Sequence, residues 1–254
     1  MNTRLLHNRN ETRYCNPTYR GLHVIDHRGP LVEKYLEMTF RTLECALGQY
    51  PKTFATRFEL LFPKHTDNWS SEVISKFTEA LKADINAFLR IRGEKPEKCK
   101  PRLIWAKERN KSSNSHYHVV LLLNKDVFFT SGKVVSKNYN MAKRIEAAWA
   151  KALGFKFERV PGLVNFPKNR DYIVNTGDKD FLQQLTNLFY RASYLAKEDT
   201  KEYCDGSRHF SCSHLTSLPA SFSLSEVIQY HKGIVYGMPL DHYLKSNEIK
   251  RGLQ

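Results

Sequence analysis

The sequence predicts an α+β fold in which helices pack on one face of an antiparallel β-sheet. Its hydrophobic content of 41% over 254 residues is that of an ordinary globular protein. Between residues 51 and 205, the patterns follow the order strand, helix, strand, strand, helix, strand, and two strands are separated by a short polar segment typical of a hairpin. Residues 1–50 predict an N-terminal arm and helix, and residues 206–254 predict a small C-terminal appendage.

The first half of the chain contains two helix patterns with one strand pattern between them. The first helix is predicted from apolar residues at helical spacing, namely Leu31, Tyr35, Leu36, Phe40, Leu43 and Leu47. The segment TFATRFELLFP then alternates in the manner of a strand. A long helix follows in NWSSEVISKFTEALKADINAFLRIRG, with Ser70 or Ser71 as its N-cap and Gly93 as its stop.

The second half begins with the predicted hairpin, in which RLIWAKE and HYHVVLLLN are joined by RNKSSNS. The Ala-rich segment NYNMAKRIEAAWAKALG predicts a helix that ends at Gly154, and GLVNFP and DYIVN predict short strands. The segment DKDFLQQLTNLFYRASYLAKED predicts a strongly amphipathic helix. Within the C-terminal appendage, SLSEVIQYHKGIVYG predicts one more helix.

The charge balance indicates the class of partner. Forty Lys and Arg residues against 26 Asp and Glu residues give a formal charge of +14, which favours nucleic acid or an anionic membrane surface unless the charge serves solubility alone. The sequence has no run of roughly 18 apolar residues and no apolar signal peptide, so we expect a cytoplasmic protein without a membrane span. The scattered cysteines are expected to be free thiols.

Two histidines stand at the start of a strand that is otherwise apolar, in SNSHYHVVLLLNKD. Alternation along a strand turns His116 and His118 to one face, and the hairpin brings Glu108 back to the same end of the sheet. Two imidazoles and one carboxylate suit a divalent metal that must also hold a substrate oxygen, although an H-x-H pair alone is more often structural. Glu59 is a less favoured extra ligand, or a salt-bridge partner of Arg57.

Two tyrosines lie on the polar side of the predicted amphipathic helix. Its apolar stripe consists of Phe181, Leu182, Leu185, Leu188, Phe189, Ala192 and Ala196. Tyr190, Tyr194 and Lys197 fall on the opposite side, where the tyrosines either cover a second layer or attack a phosphodiester. Because the pKa of tyrosine is near 10, such an attack needs a metal at the phosphate and a nearby cation, for which Lys197 is well placed.

Glu108, His116, His118 and the helix segment YRASYLAK together resemble the HUH superfamily of single-strand DNA endonucleases. The pattern E-x7-H-x-H followed by a two-tyrosine helix is most similar to the replication initiators of rolling-circle phages. The chain looks like a phage or prophage member of the YagK/YfjJ-like group, with the likeness covering roughly residues 50 to 205. Ser193 stands where the helix pattern Y-x-x-K-Y-x-x-K has its first lysine, which leaves Lys197 as the motif lysine.

This resemblance implies a ferredoxin-like (RRM-like) HUH endonuclease core over residues 51–205, with the tyrosine helix laid across the sheet. It implies a Mg²⁺ or Mn²⁺ ion on Glu108, His116 and His118 that holds the scissile phosphate of a single-stranded replication origin. One tyrosine would form a 5′-phosphotyrosine link and release a 3′-hydroxyl that primes rolling-circle replication. Tyr190 and Tyr194 would then alternate, with Tyr194 slightly favoured as the nucleophile.

Such an enzyme also needs contacts for DNA and a partner for strand separation. The basic candidates around the hairpin are Lys98, Lys100, Arg102, Lys107, Arg109 and Lys111. The N-terminal segment RNETRYCNPTYRGLH is expected to be either a DNA clamp or an irregular arm. The sequence contains no Walker A pattern, so we expect a separate helicase.

Two other functions fit the same residues. One is a non-catalytic prophage DNA-binding or regulatory protein on this fold, and the other is a transposase or mobilisation nuclease of the same superfamily. Binding of a divalent metal discriminates the first from the leading hypothesis, because a silent DNA-binding protein does not need it. The origin sequence, the physiological metal, the first tyrosine to attack and the oligomeric state are left open by the sequence.

Overall fold

The computed structural model describes residues 4–5, 11–63, 70, 72–109, 115–135, 138–157, 162–198, 208–213, 222–234 and 240. The helices in these ranges are α1 (Glu33–Gln49), α2 (Val73–Ile91), α3 (Met141–Leu153), α4 (Phe181–Ala192) and α5 (Leu224–Gln229). The strands are β1 (Arg13–Tyr14), β2 (Thr18–Tyr19), β3 (Leu22–His23), β4 (Leu31–Val32), β5 (Lys52–Leu61), β6 (Arg102–Glu108), β7 (His116–Asn124), β8 (Val164–Asn165), β9 (Asp171–Asn175) and β10 (Phe210–Cys212). The predicted α+β class is confirmed.

The main sheet has six strands and is antiparallel, with the order β10-β6-β7-β5-β8 and with β9 also paired to β5. Strands β6 and β7 form the predicted hairpin, in which Glu108 is the register partner of His116. The chain order β5-α2-β6-β7-α3-β9 and the spatial order β6-β7-β5-β9 together give the ferredoxin-like arrangement. The two histidines therefore begin a central strand of the sheet.

Helices cover both faces of this sheet, so the expectation of helices on one face is wrong. Helices α2 and α3 pack on the face that carries Phe54, Phe58 and Tyr117, where Trp149 of α3 is fully buried. Helices α1 and α4 pack on the opposite face, which carries Val120. The physical reason lies in β7, whose nine residues are all buried, because a strand that is apolar on both faces needs cover on both. We call these the α2/α3 face and the α1/α4 face.

Two helix boundaries differ from the prediction. Helix α2 has Glu72 as its N-cap without a side-chain capping bond, whereas the Ser70 hydroxyl accepts a hydrogen bond of 3.1 Å from the Glu72 N–H; Ser71 lies outside the described residues. The tyrosine helix α4 ends at Ala192, and a 3-10 turn at Ser193–Ala196 follows it. Tyr190 is therefore in the helix and Tyr194 is in the turn, so the two tyrosines do not share one regular helix.

The segments on either side of the ferredoxin-like unit pack into the core of the α1/α4 face. Tyr19, Leu22 and Val24 of the N-terminal segment are buried there, as are Leu224 and Val227 of α5. Strand β10 extends the main sheet by pairing with β6. The division of the chain after residues 50 and 205 stays a prediction, and the described parts of both outer segments contribute to this shared core.

Two further predictions concern membrane crossing and the state of the thiols. None of the described helices combines the length and the apolarity needed to cross a bilayer. Cys15, Cys45, Cys99 and Cys212 are free thiols as expected, and Cys204 lies outside the described residues.

Candidate metal centre

The predicted metal ligands meet at one end of the central hairpin, on the α1/α4 face. Glu108 is the last residue of β6, and His116 and His118 are the first and third residues of β7. Register pairs Glu108 with His116, and it pairs His118 with Ala106 of β6 and with Glu59 of β5. Because side chains alternate along each strand, all of these ligands project to the same face. The sequence prediction placed this set correctly.

The ligand atoms are close enough to converge on one ion. The Nε2 atoms of His116 and His118 are 3.1 Å apart, and His118 Nε2 lies 3.3 Å from Glu108 Oε2. One ligand atom from each of the three residues lies within 4.8 Å of the others, and all three residues are buried. Two imidazoles and one carboxylate are donors that fit a divalent cation and leave coordination positions for a substrate. Glu108, His116 and His118 are therefore a candidate metal triad.

Glu59 lies on the other side of His118 and does not belong to this group of three. Its Oε1 is 3.4 Å from His118 Nδ1, and its Oε2 accepts a hydrogen bond of 2.8 Å from the Asn165 amide. Outer carboxylates of this kind fix the tautomer of a metal-binding histidine, because a proton on Nδ1 leaves Nε2 free to bind. Glu59 contacts His118 and Asn165, and its role as an extra ligand stays a prediction.

The charges at this end of the sheet shift the pKa values of both partners. The hydrogen bond from His118 lowers the pKa of Glu59 to about 2, against the opposing effect of burial. Burial alone would lower the pKa of His118, but the hydrogen bonds to Glu108 and Glu59 outweigh it, and the pKa of His118 is raised. Glu59 is consequently ionised at neutral pH and holds the imidazole between two carboxylates.

Tyr194 is the tyrosine that lies beside the triad. The centroid of its ring is 5.2 Å from that of His118, in an edge-to-face arrangement. Burial raises the pKa of Tyr194 to about 12, and the negative charges of Glu108 and Glu59 act in the same direction. Arg28 and Arg57 lower that pKa and so oppose the carboxylates. The Tyr194 phenol is therefore protonated at neutral pH in the protein without a metal.

Lys197 occupies a different place from the one predicted. It follows the 3-10 turn, is buried, and forms an isolated β-bridge with Leu31. Its Nζ nevertheless lies 5.0 Å from the centroid of the Tyr194 ring. The expectation of a solvent-facing lysine on the helix is thus wrong because the helix ends at Ala192, but the proximity of Lys197 to Tyr194 is confirmed.

Tyr190 has different surroundings from Tyr194. Its hydroxyl lies 3.4 Å from Nδ1 of His27, and the Arg191 guanidinium lies 5.7 Å from the centroid of its ring. Tyr190 also lines a surface cleft together with residues 168–172. The two tyrosines are therefore inequivalent, and Tyr194 is the one in contact with a residue of the candidate metal triad.

Ser193 explains why the tyrosine helix ends where it does. Its side chain is fully buried, donates a hydrogen bond of 2.8 Å to the Tyr190 carbonyl, and accepts one of 3.0 Å from the Ile25 N–H. The lysine that the resemblance leads one to expect at this position would have to be buried in the contact with the N-terminal segment. This bridge also brings the turn that carries His27 and Arg28 toward the tyrosines.

His27, Arg28 and Arg57 are the site residues that sequence reasoning missed. His27 and Arg28 lie in a short polar segment more than 160 positions from the tyrosines, and no local pattern links them. For Arg57 a signal was available, since it precedes Glu59 by two positions in the same strand and so shares its face.

The basic residues predicted to bind DNA are distributed along β6. Arg109 is exposed and directly follows Glu108 at the end that carries the triad. Lys107 alternates with Glu108 and so projects to the α2/α3 face. Lys111 lies outside the described residues.

Three of the predicted basic residues lie at the opposite end of that strand. Lys98 and Lys100 are exposed just before β6, and Arg102 begins it. Arg102 is buried and donates a hydrogen bond of 2.8 Å to Gln49. A seven-residue strand spans about 20 Å, so the structure does not bring this group to the triad.

The N-terminal segment with alternating Arg and Tyr residues makes contacts within the protein. Arg13 forms a two-point ion pair with Glu198, with distances of 2.6 and 2.7 Å. Tyr19 and Arg20 both donate hydrogen bonds to Glu37 of α1, at 2.6 and 2.8 Å. These side chains attach the segment to α1 and to the chain that follows Tyr194.

Comparison with known proteins places this chain in a family. The model of the YagK/YfjJ C-terminal domain family matches residues 14–213. The chain belongs to the YagK/YfjJ C-terminal domain family. That match extends beyond residues 51–205 on both sides. It includes all ten strands apart from Arg13, the first residue of β1.

Two relatives of Escherichia coli (strain K12) are similar to this YagK/YfjJ-family chain over most of their length. The chain is 33% identical over 210 residues to "Uncharacterized protein YagK", which covers 78% of this chain and 98% of YagK. It is 29% identical over 199 residues to "Uncharacterized protein YfjJ", which covers 73% of this chain and 96% of YfjJ. No solved structure matches the chain. The predicted likeness to the YagK/YfjJ group is confirmed, and the resemblance to HUH endonucleases stays a prediction.

Proposed function

We propose that this YagK/YfjJ-family protein is a metal-dependent endonuclease that nicks and rejoins single-stranded DNA, with Tyr194 as its nucleophile. The observation that carries the proposal is the position of the Tyr194 ring, 5.2 Å from the ring of His118. His118 is also within 3.3 Å of Glu108, so the phenol lies beside a set of two histidines and one carboxylate. Tyrosine needs such a neighbour to attack a phosphodiester at neutral pH.

Glu108, His116 and His118 would hold a Mg²⁺ or Mn²⁺ ion. When bound, the ion would polarise an oxygen of the scissile phosphate and offset the negative charge of the carboxylates around it. The Glu59 carboxylate lies 3.4 Å from His118 Nδ1 and favours a proton on that nitrogen, which keeps Nε2 available. Glu59 is thereby a positioning residue for the triad.

The reaction transfers one phosphoryl group and is reversible. The Tyr194 Oη attacks phosphorus, the bond from phosphorus to the 3′ oxygen breaks, and the phenol proton ends on the released 3′-hydroxyl. The DNA downstream of the nick stays attached through a 5′-phosphotyrosine. Rejoining is the same exchange in reverse, and the hydroxyl of Tyr190, which lies one turn away, is the candidate for a second attack.

Three cations act on Tyr194 or lie near it, and they suit the charge that develops during this transfer. Arg28 and Arg57 already act on the phenol by lowering its pKa, and the Lys197 ammonium lies 5.0 Å from the ring centroid. Positive groups in these places stabilise both a phenolate and the charge on a five-coordinate phosphorus. Arg28 and Lys197 are far apart in the sequence, so the N-terminal turn contributes to the site.

In a cell, this activity would start rolling-circle replication of a phage, prophage or satellite element in the bacterial cytoplasm. The released 3′-hydroxyl would prime synthesis, and a host or phage helicase would open the duplex. The formal charge of +14 supports a nucleic-acid substrate, since each neutralised phosphate releases counterions.

The test is a search for the covalent adduct. The protein is incubated with Mn²⁺ and a pool of randomised single-stranded oligonucleotides, one half labelled at the 3′ end and one half at the 5′ end. We expect a denaturant-resistant adduct that carries only the 3′ label, because the protein retains the downstream fragment. Peptide mapping of this adduct should identify Tyr194, and sequencing of the trapped DNA gives the site.

The variants for this test are Tyr194→Phe, Tyr190→Phe and the double variant, with Tyr139→Phe as the matched control. The Tyr139 hydroxyl donates to Asp84 between α2 and α3, away from the triad. Tyr194→Phe should remove the adduct and Tyr139→Phe should leave it unchanged. An adduct that persists in the double variant would show that the proposed mechanism is wrong.

The same assay separates the alternatives. A non-catalytic DNA-binding or regulatory protein would bind the oligonucleotides and form no adduct with Mn²⁺. A transposase or mobilisation nuclease would form the adduct at a sequence that belongs to the ends of a mobile element.

A further inference from the structure

A cleft of about 660 Å³ is lined by Tyr190 and not by Tyr194. One wall is the segment of residues 168–172, which leads into β9, and the other wall is the last turns of α4. The helix contributes Asn187, Tyr190 and Arg191 to the lining. A cleft of this size can hold a nucleotide, which is the unit in which single-stranded DNA is bound.

The charge of the cleft favours an anion. Its basic lining residues are Lys168, Arg170 and Arg191, and its acidic one is Asp171. The Asp171 Oδ2 already accepts hydrogen bonds of 2.9 Å from both the N–H and the hydroxyl of Ser131. Across the described ranges, Lys168 and Arg191 have no carboxylate partner within 4.0 Å, so their charges are available to a ligand.

Aromatic rings complete the lining. Tyr172 and Tyr190 are both half-buried, and one comes from each wall. The Tyr172 hydroxyl donates to the Asn169 carbonyl at 2.8 Å, which fixes the ring on its wall. Single-stranded DNA is bound by this combination of cations for phosphates and fixed aromatic rings for bases.

One wall of the cleft is attached to β5. The Arg57 N–H donates a hydrogen bond of 2.9 Å to the Arg170 carbonyl, so the cleft wall is attached to the strand that carries Glu59 two positions later. On the helix side, Tyr190 precedes Tyr194 by four positions, at the point where α4 ends and the 3-10 turn begins. A DNA strand whose scissile phosphate is at Tyr194 would therefore have its neighbouring nucleotide at the cleft.

We propose that this cleft is the binding site for the nucleotide adjacent to the scissile phosphate, with Lys168 and Arg191 at its phosphate and the rings of Tyr172 and Tyr190 at its base. This inference deepens the proposed nicking function and rests on it for the position of the scissile phosphate. The ring of Tyr190 then has a role in binding that is separate from any role of its hydroxyl.

The first experiment measures binding of fluorescein-labelled oligo(dT) by anisotropy over a series of salt concentrations, without Mn²⁺ so that no cleavage occurs. We expect Lys168→Ala with Arg191→Ala to weaken binding at least tenfold. The slope of log affinity against log salt should fall by about 0.7, the value for one neutralised phosphate of a single strand. The matched control is Lys82→Ala with Lys151→Ala, which removes the same charge from exposed positions on α2 and α3.

The second experiment tests the aromatic part of the site. Oligonucleotides that contain 5-iododeoxyuridine are crosslinked with ultraviolet light, and we expect the crosslinked peptides to contain Tyr190 or Tyr172. Tyr190→Ala should weaken oligo(dT) binding at least about fivefold, whereas Tyr190→Phe keeps the ring and should retain the affinity. Circular dichroism and thermal melting establish that each variant is folded.

The outcomes distinguish this inference from the proposed nicking function. If the cleft variants lose affinity but the wild type forms no adduct with Mn²⁺, the cleft stands as a binding site for single-stranded DNA, and the nicking function is wrong. If the adduct forms and Lys168→Ala with Arg191→Ala binds oligo(dT) with the affinity and salt slope of its control, the cleft assignment is overturned. Failure of the wild type to bind oligo(dT) also overturns it.

Discussion

The two faces of the central sheet come from the same strands but have opposite chemistry at the end where β7 begins. On the α2/α3 face, Tyr117 packs edge-on against Trp105 and Phe62, with centroid distances of 5.5 and 5.8 Å. On the α1/α4 face, its two neighbours in sequence, His116 and His118, lie among carboxylates. One position along the strand therefore separates a packed aromatic core from a polar cluster.

This difference separates the apolar packing that stabilises the sheet from the candidate metal triad. The α2/α3 face is continuous apolar packing, which stabilises the sheet in proportion to the area it buries. The α1/α4 face has apolar packing around Val120 and Leu122, and it becomes polar only at the triad. A buried polar cluster is costly unless its groups are paired, so the apolar face supports an arrangement that contributes little to stability itself.

The largest expected effect is on stability and concerns the α2/α3 face. Trp149→Ala removes a fully buried ring and its hydrogen bond of 3.0 Å to the Leu61 carbonyl. We expect the free energy of unfolding to fall by about 3–5 kcal/mol, measured by urea denaturation. Mn²⁺ affinity of the folded variant, measured by calorimetry well below its unfolding midpoint, should stay within a factor of about three. A large loss of affinity would show that the two faces are coupled.

The next effect concerns the α1/α4 face and should appear in metal affinity. His118→Ala removes the central residue of the triad, so we expect Mn²⁺ affinity to fall at least about 100-fold, which is the upper end of the loss for an outer-shell partner. Mn²⁺ should raise the melting temperature of the wild type, and EDTA should reverse this effect. In the variant, Mn²⁺ should not change the melting temperature. His23→Ala is the control because His23 is exposed in β3. Equal Mn²⁺ binding by both variants would rule out the triad as the metal site.

Glu59→Gln compares the contribution of the outer carboxylate to metal affinity with that of the triad. The variant keeps the size of the side chain but weakens the acceptor for His118 Nδ1, so Mn²⁺ affinity should fall about tenfold, less than in the triad variant. Glu79→Gln, on the exposed side of α2, is the control and should not change affinity. A loss as large as that of His118→Ala would instead identify Glu59 as a direct ligand.

The smallest expected effect concerns the turn that covers the polar face. Ser193→Ala leaves the Ile25 N–H without its acceptor, so the free energy of unfolding should fall by about 1–2 kcal/mol. Ser75→Ala, at an exposed position of α2, should change it by less than about 0.5 kcal/mol. If the two variants are equally stable by urea denaturation, the bridge to the N-terminal segment does not hold the turn.

Those parts of the fold and site that depend on local periodicity could be predicted from the sequence. Alternation along β6 and β7, with the hairpin between them, was sufficient to place Glu108, His116 and His118 together. Helical spacing identified α1 to α4 because each carries an apolar stripe. The arrangement of helices on both faces was missed, although the unbroken apolar run of β7 is the signal for it.

Features that depend on contacts between distant segments could not be predicted in this way. The pattern of α4 continues past Ala192, and the helix ends there because Ser193 bonds to Ile25, which no local rule contains. For the same reason, the electrostatic interaction between Arg28 and Tyr194 could not be predicted from the sequence. Lys197 was predicted near Tyr194 from its spacing, and the two side chains are close although the backbone there is not α-helical.

The attachment of the N-terminal segment to the tyrosine turn also sets an order of folding. The Ile25 to Ser193 bond spans 168 positions, and the Arg13 to Glu198 pair spans 185. During synthesis, Arg13 and Ile25 leave the ribosome early. Their partners Ser193 and Glu198 are made only after β5 to β9. Closing such long loops is slow relative to local pairing, so we expect the triad to form before Tyr194 is placed beside it. A nascent chain would therefore carry the candidate metal triad before it acquires Tyr194.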